Sequence, residues 1–376
     1  MTLYLENNLA KRKKLGNLRS LQLNPNLVDF SSNDILGLAR SKQLVKATFK
    51  ELKRGLTHEN ILGSTGSRLI TGNYSYAQNL ESFIALFHGY ETATLFNCGY
   101  MANVGLLSTL GNLNTVIFFD ERVHASTRDG IRLSQSKAFP FKHNDLEHLE
   151  KRLKSNFNNY TDRFICIESI YSLDGSIAPL FDIYHLAKKY QANVIVDEAH
   201  ATGIFGPSGR GLLAKYNLTS DTFAHIVTFG KALGTFGAVI LGNHLLKDAL
   251  INYARSFIYT TALPLVSLVA IKCAYDIFPQ LEQERQTLHQ LIRLFCQKYP
   301  EASTTHIQSI KIKGNQAAKH ATQFFVSKGF DVRPFLSPTV PKGHEMIRIC
   351  LHTFNTKKQL EQLLDCVEQC RNVNNA

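Results

Sequence analysis

The sequence predicts an α/β fold whose central sheet is mostly parallel and covered by helices on both faces. Three observations carry this prediction. Short apolar runs alternate with segments of helical periodicity through the middle of the chain. Polar residues follow directly after several of those runs. At 376 residues, the chain is longer than one hydrophobic core usually holds, so we expect a second, smaller domain.

The predicted elements follow from apolar runs, helical periodicity and turn residues. A strand–turn–helix segment is predicted at 92–110, and further strands at 115–120, 163–169, 193–200 and 226–228, with an edge strand at 238–241. Helices are predicted at 44–56, 76–87 and 183–190, and after residue 265 long helices precede a helix at 316–328, a strand at 346–351 and a closing helix at 357–367. We therefore expect an N-terminal arm (1–45), a large domain (46–265) and a small C-terminal domain (266–376).

The charge balance leaves several classes of partner open. The chain is 44% hydrophobic and 19% charged, an ordinary globular composition, with a formal net charge of +12. Its only dense basic cluster is 11–14, and no nucleic-acid motif accompanies it. An anionic substrate or an acidic carrier protein explains the charge as well, and much of it is solvated surface. We expect no nucleic-acid partner.

The cysteines and the N-terminus indicate a compartment. Seven cysteines are scattered without CxxC spacing, and no second pair near Cys366 and Cys370 completes a zinc site. The start has no apolar core behind a basic head, and the longest apolar run, 262–271, is too short to span a bilayer. We expect a cytoplasmic protein with reduced thiols, no metal site and no membrane contact.

A lone lysine in a glycine-rich turn is the most informative single residue. Lys231 lies in the segment IVTFGKALGTFG (226–237), after a β-branched pair and among small residues. Glycines at this density let the backbone approach a ligand closely. A desolvated lysine can lose its proton and attack a carbonyl to form a Schiff base. The alternative is a surface lysine on a glycine-rich turn, and this segment alone favours that alternative.

An aspartate and two histidines follow other predicted strands. Asp197 ends the apolar run VIVD, where a buried carboxylate needs a partner. A protonated pyridine nitrogen is suitable, because the carboxylate keeps that ring an electron sink. His200 is spaced to hydrogen-bond a phenolic oxygen on such a ring, and His124 to stack on it. Alternatively, DEAH caps a turn or serves a nucleotide hydrolase, although the chain has no GxxxxGK[ST] loop, and His124 is an ordinary polar histidine.

The placement of these residues is the strongest physical argument for a site. His124, Ser172, Asp197, His200 and Lys231 all come just after strand-like runs. Ligands of parallel α/β sheets bind beyond the carboxyl ends of the strands, so we expect these residues on one rim. The turn at 97–100, which leads from a strand into a helix, offers free N–H groups to a phosphate, although most such turns bind nothing.

Three motifs together resemble the α-oxoamine synthases, fold type I enzymes that use pyridoxal 5′-phosphate (PLP). They are TFGKALG (228–234), VDEAHATGIFGPSGRG (196–211) and SPTVPKGHEMIRICL (337–351). The resemblance runs from Leu18-Arg19 to the final helix, and PTVPKG followed by Arg348 is most similar to the biotin-pathway branch. It implies a large domain with a mostly parallel seven-stranded sheet between helices, a smaller α/β C-terminal domain and an N-terminal arm.

The resemblance also implies which residues hold the cofactor. Lys231 would bind PLP covalently, Asp197 would pair with the pyridine nitrogen, and His124 would stack over the ring. These residues and His200 are the expected catalytic residues. The other implied contacts are His200 and Ser172 near the phenolic oxygen, the backbone of Gly99 and Tyr100, Thr228 at the phosphate, and Thr260 and Thr261 at the phosphate of the partner subunit in a homodimer with shared active sites.

The implied reaction condenses L-alanine with pimeloyl-CoA or pimeloyl-acyl carrier protein. It releases carbon dioxide and gives the biotin precursor 8-amino-7-oxononanoate. The implied substrate contacts are Arg348 to the amino-acid carboxylate, Arg19 and Thr339 to substrate, and Ser64, with Asn33 as a weaker candidate, along the cleft. The chain departs from the family at Leu336-Ser337, where many relatives have Arg-Pro, and its arm lacks a hairpin that some members carry.

Several alternatives stay open at this point. Within the family, the first is the condensation of glycine with acetyl-CoA to 2-amino-3-ketobutyrate, followed by serine with a long acyl chain. Outside it, a nucleic-acid-binding protein would explain the charge, and its affinity would collapse as salt rises. A catalytically silent relative is the last alternative, and the presence of Lys231 argues against it.

Overall fold

The computed structural model describes residues 2–21, 23, 26–55 and 61–375. The chain divides into two compact units, each built from more than one segment. The large unit comprises Leu36–Tyr171 and Ile177–Gln283, and the small unit comprises Met1–Ile35, Ser172–Ser176 and Glu284–Ala376. The domain boundaries expected at residues 45 and 265 stay a prediction.

A seven-stranded sheet forms the centre of the large unit. In spatial order its strands are β2 (Thr92–Phe96), β8 (Ala238–Gly242), β7 (Thr222–Thr228), β6 (Asn193–Asp197), β5 (Asp162–Glu168), β3 (Thr115–Asp120) and β4 (Lys137–Phe141). Strands β4, β3, β5, β6 and β7 pair in parallel, and β8 runs antiparallel to both of its neighbours. The predicted mostly parallel seven-stranded sheet is therefore confirmed.

Burial explains why these segments are strands. Every residue of β2, β3 and β8 is buried, as expected where helices cover both faces of a sheet. The prediction of an edge strand at 238–241 was wrong, because β8 lies between β2 and β7. Strand β4, an actual edge, was not predicted, since Pro140 and polar Lys137 leave it only partly buried. The strand predicted at 193–200 ends at Asp197.

Helices flank this sheet, and several begin or end at a residue that caps them. Asp145 accepts from the His148 N–H at the start of α6 (Leu146–Asn156), and Gly89 ends α3 (Ser75–His88) in the left-handed region. The helix predicted at 44–56 is α2 (Lys42–Gly55), and Leu56 lies outside the described residues. The helices of the large unit are α2 (Lys42–Gly55), α3 (Ser75–His88), α4 (Gly99–Leu110), α5 (Ala125–Leu133), α6 (Leu146–Asn156), α7 (Leu180–Lys189), α8 (Leu212–Lys215), α9 (His244–Tyr253), α10 (Arg255–Ile258) and α11 (Leu265–Ile277).

The small unit has its own sheets and helices. Strands β9 (Ile307–Lys311), β12 (Met346–Cys350) and β11 (Arg333–Phe335) form an antiparallel sheet with β12 in the centre. Strands β1 (Val28–Asp29) and β10 (Phe330–Asp331) pair in parallel, which joins the N-terminal segment to the C-terminal one. The helices are α1 (Leu3–Lys14), α12 (Glu282–Lys298), α13 (Asn315–Ser327) and α14 (Lys357–Asn375).

Three observations concern disulfides, metal sites and membrane-spanning helices, for which expectations came from the sequence. None of the seven cysteines forms a disulfide bond. Among the described residues, no group of His, Cys, Asp and Glu is arranged to hold a metal ion. Over the same part of the chain, no helix combines the length and apolar character needed to cross a membrane.

Candidate active site

Four predicted residues lie at or just beyond the carboxyl ends of three parallel strands in the large unit. Asp197 is the last residue of β6, His200 follows it, Lys231 comes three residues after β7, and His124 comes four residues after β3. We call these four residues, together with Thr228 at the end of β7, the cofactor edge. The sheet order brings them to one side of the large unit, as the sequence predicts.

Lys231 lies in a tight turn between β7 and β8. The turn is closed by backbone hydrogen bonds, one from the Gly234 N–H to the Lys231 carbonyl at 3.0 Å. Gly234 has φ +63°, and a Cβ there would lie 2.2 Å from the Ala39 nitrogen, so the turn requires glycine. The turn holds Lys231 Nζ 2.8 Å from His200 Nε2. The lysine amine is therefore half-buried and directed at an imidazole.

Asp197 is buried and both of its carboxylate oxygens accept hydrogen bonds. Oδ1 accepts from the Ala199 N–H at 2.9 Å, and Oδ2 accepts from Asn103 Nδ2 at 2.9 Å. Asn103, on α4, also donates to Ser126 Oγ at 3.1 Å. The carboxylate is therefore oriented by two donors and keeps the remaining lone pairs for another partner.

His124 caps the start of α5. Its Nδ1 accepts from the Ser126 N–H at 3.2 Å and lies 2.7 Å from Ser126 Oγ. Desolvation by the surrounding protein lowers the pKa of His124, Asp197 raises it and Lys231 lowers it further. These influences show that the three groups share one electrostatic environment. The lowered pKa favours the neutral imidazole.

Gly99, Tyr100 and Thr228 are close to one another at the start of α4. Gly99 is the first residue of α4, and a Cβ there would lie 2.5 Å from Thr228 Cγ2, so only glycine allows this approach. Thr228 Oγ1 is buried and has no hydrogen-bond partner within the described part of the chain. The Tyr100 hydroxyl donates to Asp129 Oδ2 at 2.5 Å. A helix start beside an unpaired hydroxyl suits an anion.

Other predicted residues of the large unit have partners in the chain itself. Asn97 Nδ2 donates to Thr260 Oγ1 at 3.3 Å and to the Thr261 carbonyl at 2.8 Å. Ser64 is fully buried, and its hydroxyl donates to the Ala262 carbonyl at 2.7 Å. Two expected contacts stay predictions. They are the contact of Thr260 and Thr261 with a partner subunit and the contact of Ser64 with a substrate.

Apart from Ser64, the predicted substrate residues belong to the small unit, as does Ser172. Arg348, in β12, is 9% exposed and donates from Nη2 to Asn33 Oδ1 at 2.9 Å, while its Nε is buried without a partner among the described residues. Arg19 Nη2 donates to Thr339 Oγ1 at 3.2 Å, and both residues are exposed. Ser172 is half-buried. The structure thus brings Arg348 to Asn33 and Arg19 to Thr339.

Two residues near the site were not predicted from the sequence. Asn103 lies one helical turn after Gly99, and Ser126 lies two residues after His124. The spacing of Asn103 from Gly99 places both on one face of α4, and this was the only signal in the sequence. Nothing in the sequence links either residue to Asp197, because that contact depends on how α4 packs.

The chain was compared with known families and proteins. The profile for aminotransferase class I and II matches residues 25–367. The chain belongs to this family. An 8-amino-7-oxononanoate synthase from Emericella nidulans is 36% identical over 364 residues, which cover 90% of this chain and 88% of that protein. The family assignment therefore rests on nearly the whole chain.

Solved structures agree with this assignment. Serine palmitoyltransferase from Sphingomonas wittichii matches with a TM-score of 0.89 at 25% identity, over 100% of this chain and 99% of that chain. 8-Amino-7-oxononanoate synthase from Francisella tularensis matches with a TM-score of 0.78 at 28% identity, over 93% and 99%. The fold is the fold type I fold of PLP-dependent transferases, and PLP is the cofactor of this family. The protein is an enzyme of the α-oxoamine synthase group, an acyltransferase.

Proposed function

We propose that the protein condenses L-alanine with pimeloyl-CoA or pimeloyl-acyl carrier protein. The products are 8-amino-7-oxononanoate, carbon dioxide and the free thiol of the carrier, and the reaction belongs to biotin biosynthesis. The observation that carries the proposal is the 2.8 Å contact between Lys231 Nζ and His200 Nε2, at the sheet edge where Asp197 ends β6. The 36% identity to an 8-amino-7-oxononanoate synthase supports the choice of substrates.

The residues of the large unit fit PLP. Thr228 Oγ1 is buried without a partner among the described residues, beside the first residues of α4, and a phosphate would supply the missing acceptor. Backbone N–H groups of Gly99 and Tyr100 would bind the same phosphate. Asp197 would accept from the pyridine nitrogen, and His124 would stack on the ring. When bound, PLP supplies an electron sink for the negative charge that forms at the α-carbon.

Lys231 and His200 would handle the protons. Lys231 Nζ would hold the cofactor covalently before the amino acid binds and then, once free, take the α-proton of alanine. Lys231 Nζ lies 2.8 Å from His200 Nε2, and this hydrogen bond holds the amine in place. Ser172, from the segment after β5, would lie near the phenolic oxygen together with His200.

Residues of the small unit would bind the substrates. Arg348 would grip the carboxylate of alanine, because a guanidinium binds a carboxylate through two parallel hydrogen bonds. Asn33 already orients this guanidinium at 2.9 Å. Arg19 and Thr339 would contact the acyl donor, and Ser64 would lie along its path. After Lys231 takes the α-proton, the α-carbon of alanine would attack the thioester carbonyl, the carrier thiolate would leave, and the resulting β-keto acid would lose carbon dioxide.

The proposal includes a homodimer with shared active sites. Thr260 and Thr261, which lie beside Asn97 in their own chain, would reach the phosphate of the partner subunit. Because both acyl carriers belong to the cytoplasm, the proposal also places the enzyme there. The formal charge of +12 suits an anionic thioester carrier.

A second candidate is the condensation of serine with a long-chain acyl thioester. The observation that favours it is the TM-score of 0.89 to a serine palmitoyltransferase, against 0.78 to the 8-amino-7-oxononanoate synthase. Sequence identity ranks the same two structures in the opposite order, at 25% and 28%. Backbone similarity reports the shared fold, whereas identity includes the side chains that choose a substrate. We therefore rank alanine and pimeloyl thioester first.

The test is a matrix of substrates with release of the carrier thiol as the readout. L-Alanine, glycine and L-serine are each combined with pimeloyl-, acetyl- and palmitoyl-CoA, and products are identified by mass spectrometry. Alanine with pimeloyl-CoA is expected to give the highest kcat/KM, by about tenfold or more, since a pocket discriminates one methyl or hydroxyl group by about 10–200-fold. Pimeloyl-acyl carrier protein is then compared with pimeloyl-CoA.

The same matrix contains the outcomes that would contradict the proposal. Faster turnover of serine with palmitoyl-CoA would establish the second candidate, and faster turnover of glycine with acetyl-CoA would also remove the biotin assignment. Lys231→Ala is the negative control for every combination. A wild-type protein that binds PLP yet turns over no combination would be a catalytically silent relative.

A further inference from the structure

A continuous chain of polar side chains connects Asp197 to His124. Asn103 Nδ2 donates to Asp197 Oδ2 at 2.9 Å and to Ser126 Oγ at 3.1 Å. Ser126 Oγ lies 2.7 Å from His124 Nδ1. Asp197, Asn103 and Ser126 are 8%, 3% and 0% exposed, so water does not compete for these bonds. These hydrogen-bonded side chains connect the end of β6 to the end of β3 by way of α4 and α5.

The number of available hydrogens fixes which atom donates in each of these hydrogen bonds. The amide of Asn103 has two hydrogens, and the two contacts use both. Ser126 Oγ accepts one of them, so its own hydrogen is available for His124 Nδ1. That nitrogen also accepts from the Ser126 N–H at 3.2 Å, so it carries no hydrogen of its own. The neutral ring of His124 therefore carries its proton on Nε2.

We propose that Asn103 is a positioning residue which, through Ser126, couples the carboxylate of Asp197 to the ring of His124. This inference rests on the proposed function, in which the two groups bind the pyridine ring of PLP, one at its nitrogen and the other on its face. One amide then sets the direction of the carboxylate and, through one hydroxyl, the tautomer of the imidazole. Asn103 and Ser126 act only through Asp197 and His124.

A purely structural role is the competing explanation. Asn103 lies where α4 packs closely on α5, and a Cβ on Gly130 would come within 2.8 Å of the Asn103 carbonyl oxygen. Loss of the side chain could therefore loosen the two helices without any effect on the cofactor. The two explanations differ in what they predict for PLP affinity and for the tautomer of His124.

The test measures both quantities in substituted proteins. Asn103→Leu keeps the approximate volume and removes both donors, and Ser126→Ala removes the hydroxyl that donates to His124 and accepts from Asn103. PLP affinity is measured by absorbance titration of the apoenzyme, and the tautomer by ¹⁵N NMR of the holoenzyme with labelled histidine. Ser108→Ala, which removes a hydroxyl that donates to the Gly105 carbonyl within α4, is the matched control.

We expect Asn103→Leu to weaken PLP binding by about tenfold, the usual effect of one lost hydrogen bond to a charged group. We expect kcat to fall while KM for alanine changes little, because Arg348, the residue proposed to bind the alanine carboxylate, keeps its contact with Asn33. Ser126→Ala removes one of the two donors to His124 Nδ1 and keeps the backbone N–H. The share of the Nδ1-protonated tautomer should therefore rise above that of the wild type, and Ser126→Thr should restore the wild-type spectrum. Ser108→Ala should match the wild type in every readout.

Wild-type PLP affinity in Asn103→Leu, with unchanged histidine signals in Ser126→Ala, would overturn the inference even if both proteins melt at lower temperature. Should Asn103→Leu fail to fold, the histidine signals of Ser126→Ala and Ser126→Thr decide alone. A wild-type protein that does not bind PLP would refute the proposed function itself. A wild type that binds PLP beside variants that bind it equally well would refute only this inference.

Discussion

The cofactor edge of the large unit and the predicted substrate residues of the small unit are built differently. At the cofactor edge, Asp197 ends a buried strand. Lys231 is fixed in a turn that requires glycine at position 234. In the small unit, the bond between Arg19 and Thr339 joins two exposed loop residues. The first arrangement favours one chemistry with fixed geometry. The contact between Arg19 and Thr339 can change without disturbing a core, whereas Arg348 is buried in the central strand β12, so the exposed contact is the part that can vary with the substrate.

The largest expected effect is that of Lys231→Ala. Removal of the amine eliminates both the covalent link to the cofactor and the proposed base, so kcat should fall by at least about 10³-fold with every substrate. The measurement is steady-state thiol release at saturating PLP. Lys215→Ala, an exposed lysine on α8, is the control. Activity of Lys231→Ala within tenfold of wild type would remove the cofactor edge from the mechanism.

Asp197→Asn should have the next largest effect. The substitution keeps the shape of the side chain and removes the charge that pairs with the ring nitrogen, and the loss of one partner of a buried pair costs about 3–5 kcal/mol. This corresponds to a decrease in kcat/KM of about 10²–10⁴-fold. The exposed Asp221→Asn is the control. An equal loss in both variants would indicate a general effect of charge.

Arg348→Lys should sharpen the comparison, because it acts in the small unit. A lysine cannot form the two parallel bonds of a guanidinium, so KM for alanine should rise by about 10–100-fold while kcat changes less. Arg333→Lys is a close control, since Arg333 pairs directly with Arg348 across the sheet. A decrease confined to kcat would mean that Arg348 does not bind the amino acid in the ground state.

Arg19→Ala should have a small effect on the acyl donor. Because the contact with Thr339 is exposed, its loss should raise KM for pimeloyl-CoA by no more than about fivefold. KM for alanine should stay at the wild-type value. An increase in KM for alanine alone would reverse the assignment of Arg19.

Stability against acid should not distinguish the two units, because each contains a buried histidine. Burial lowers the pKa of His88 in the large unit and of His352 in the small unit below 6.5. The unfolded chain therefore binds more protons than the folded protein as pH falls through 6.5, so the free energy of unfolding should decrease, by up to about 1.4 kcal/mol per pH unit for each histidine.

Urea unfolding between pH 8 and pH 5 measures this decrease. His88→Phe, in a pocket already lined by the rings of Phe87 and Tyr275, should reduce the slope, and so should His352→Phe. His185→Gln, on the exposed side of α7, is the control. A slope of the opposite sign would show that these rings become charged more readily in the folded protein.

The sequence was sufficient for the features that depend on residue type and strand order. Uninterrupted apolar runs predicted the buried strands that end near Asp197 and Lys231, and the sheet places those ends on one side. It was insufficient where packing decides. Strand β8 carries no sequence signal that separates a central strand from an edge strand, and the contact between Asn103 and Asp197 depends on the position of α4.

The most direct test of the account is to find where the cofactor is attached. Purified holoenzyme is reduced with borohydride and digested, and the modified peptide is identified by mass spectrometry. The account predicts a pyridoxyl group on Lys231 alone, and no modified peptide from Lys231→Ala. Tightly bound PLP that borohydride attaches to another lysine, or to none, would contradict it.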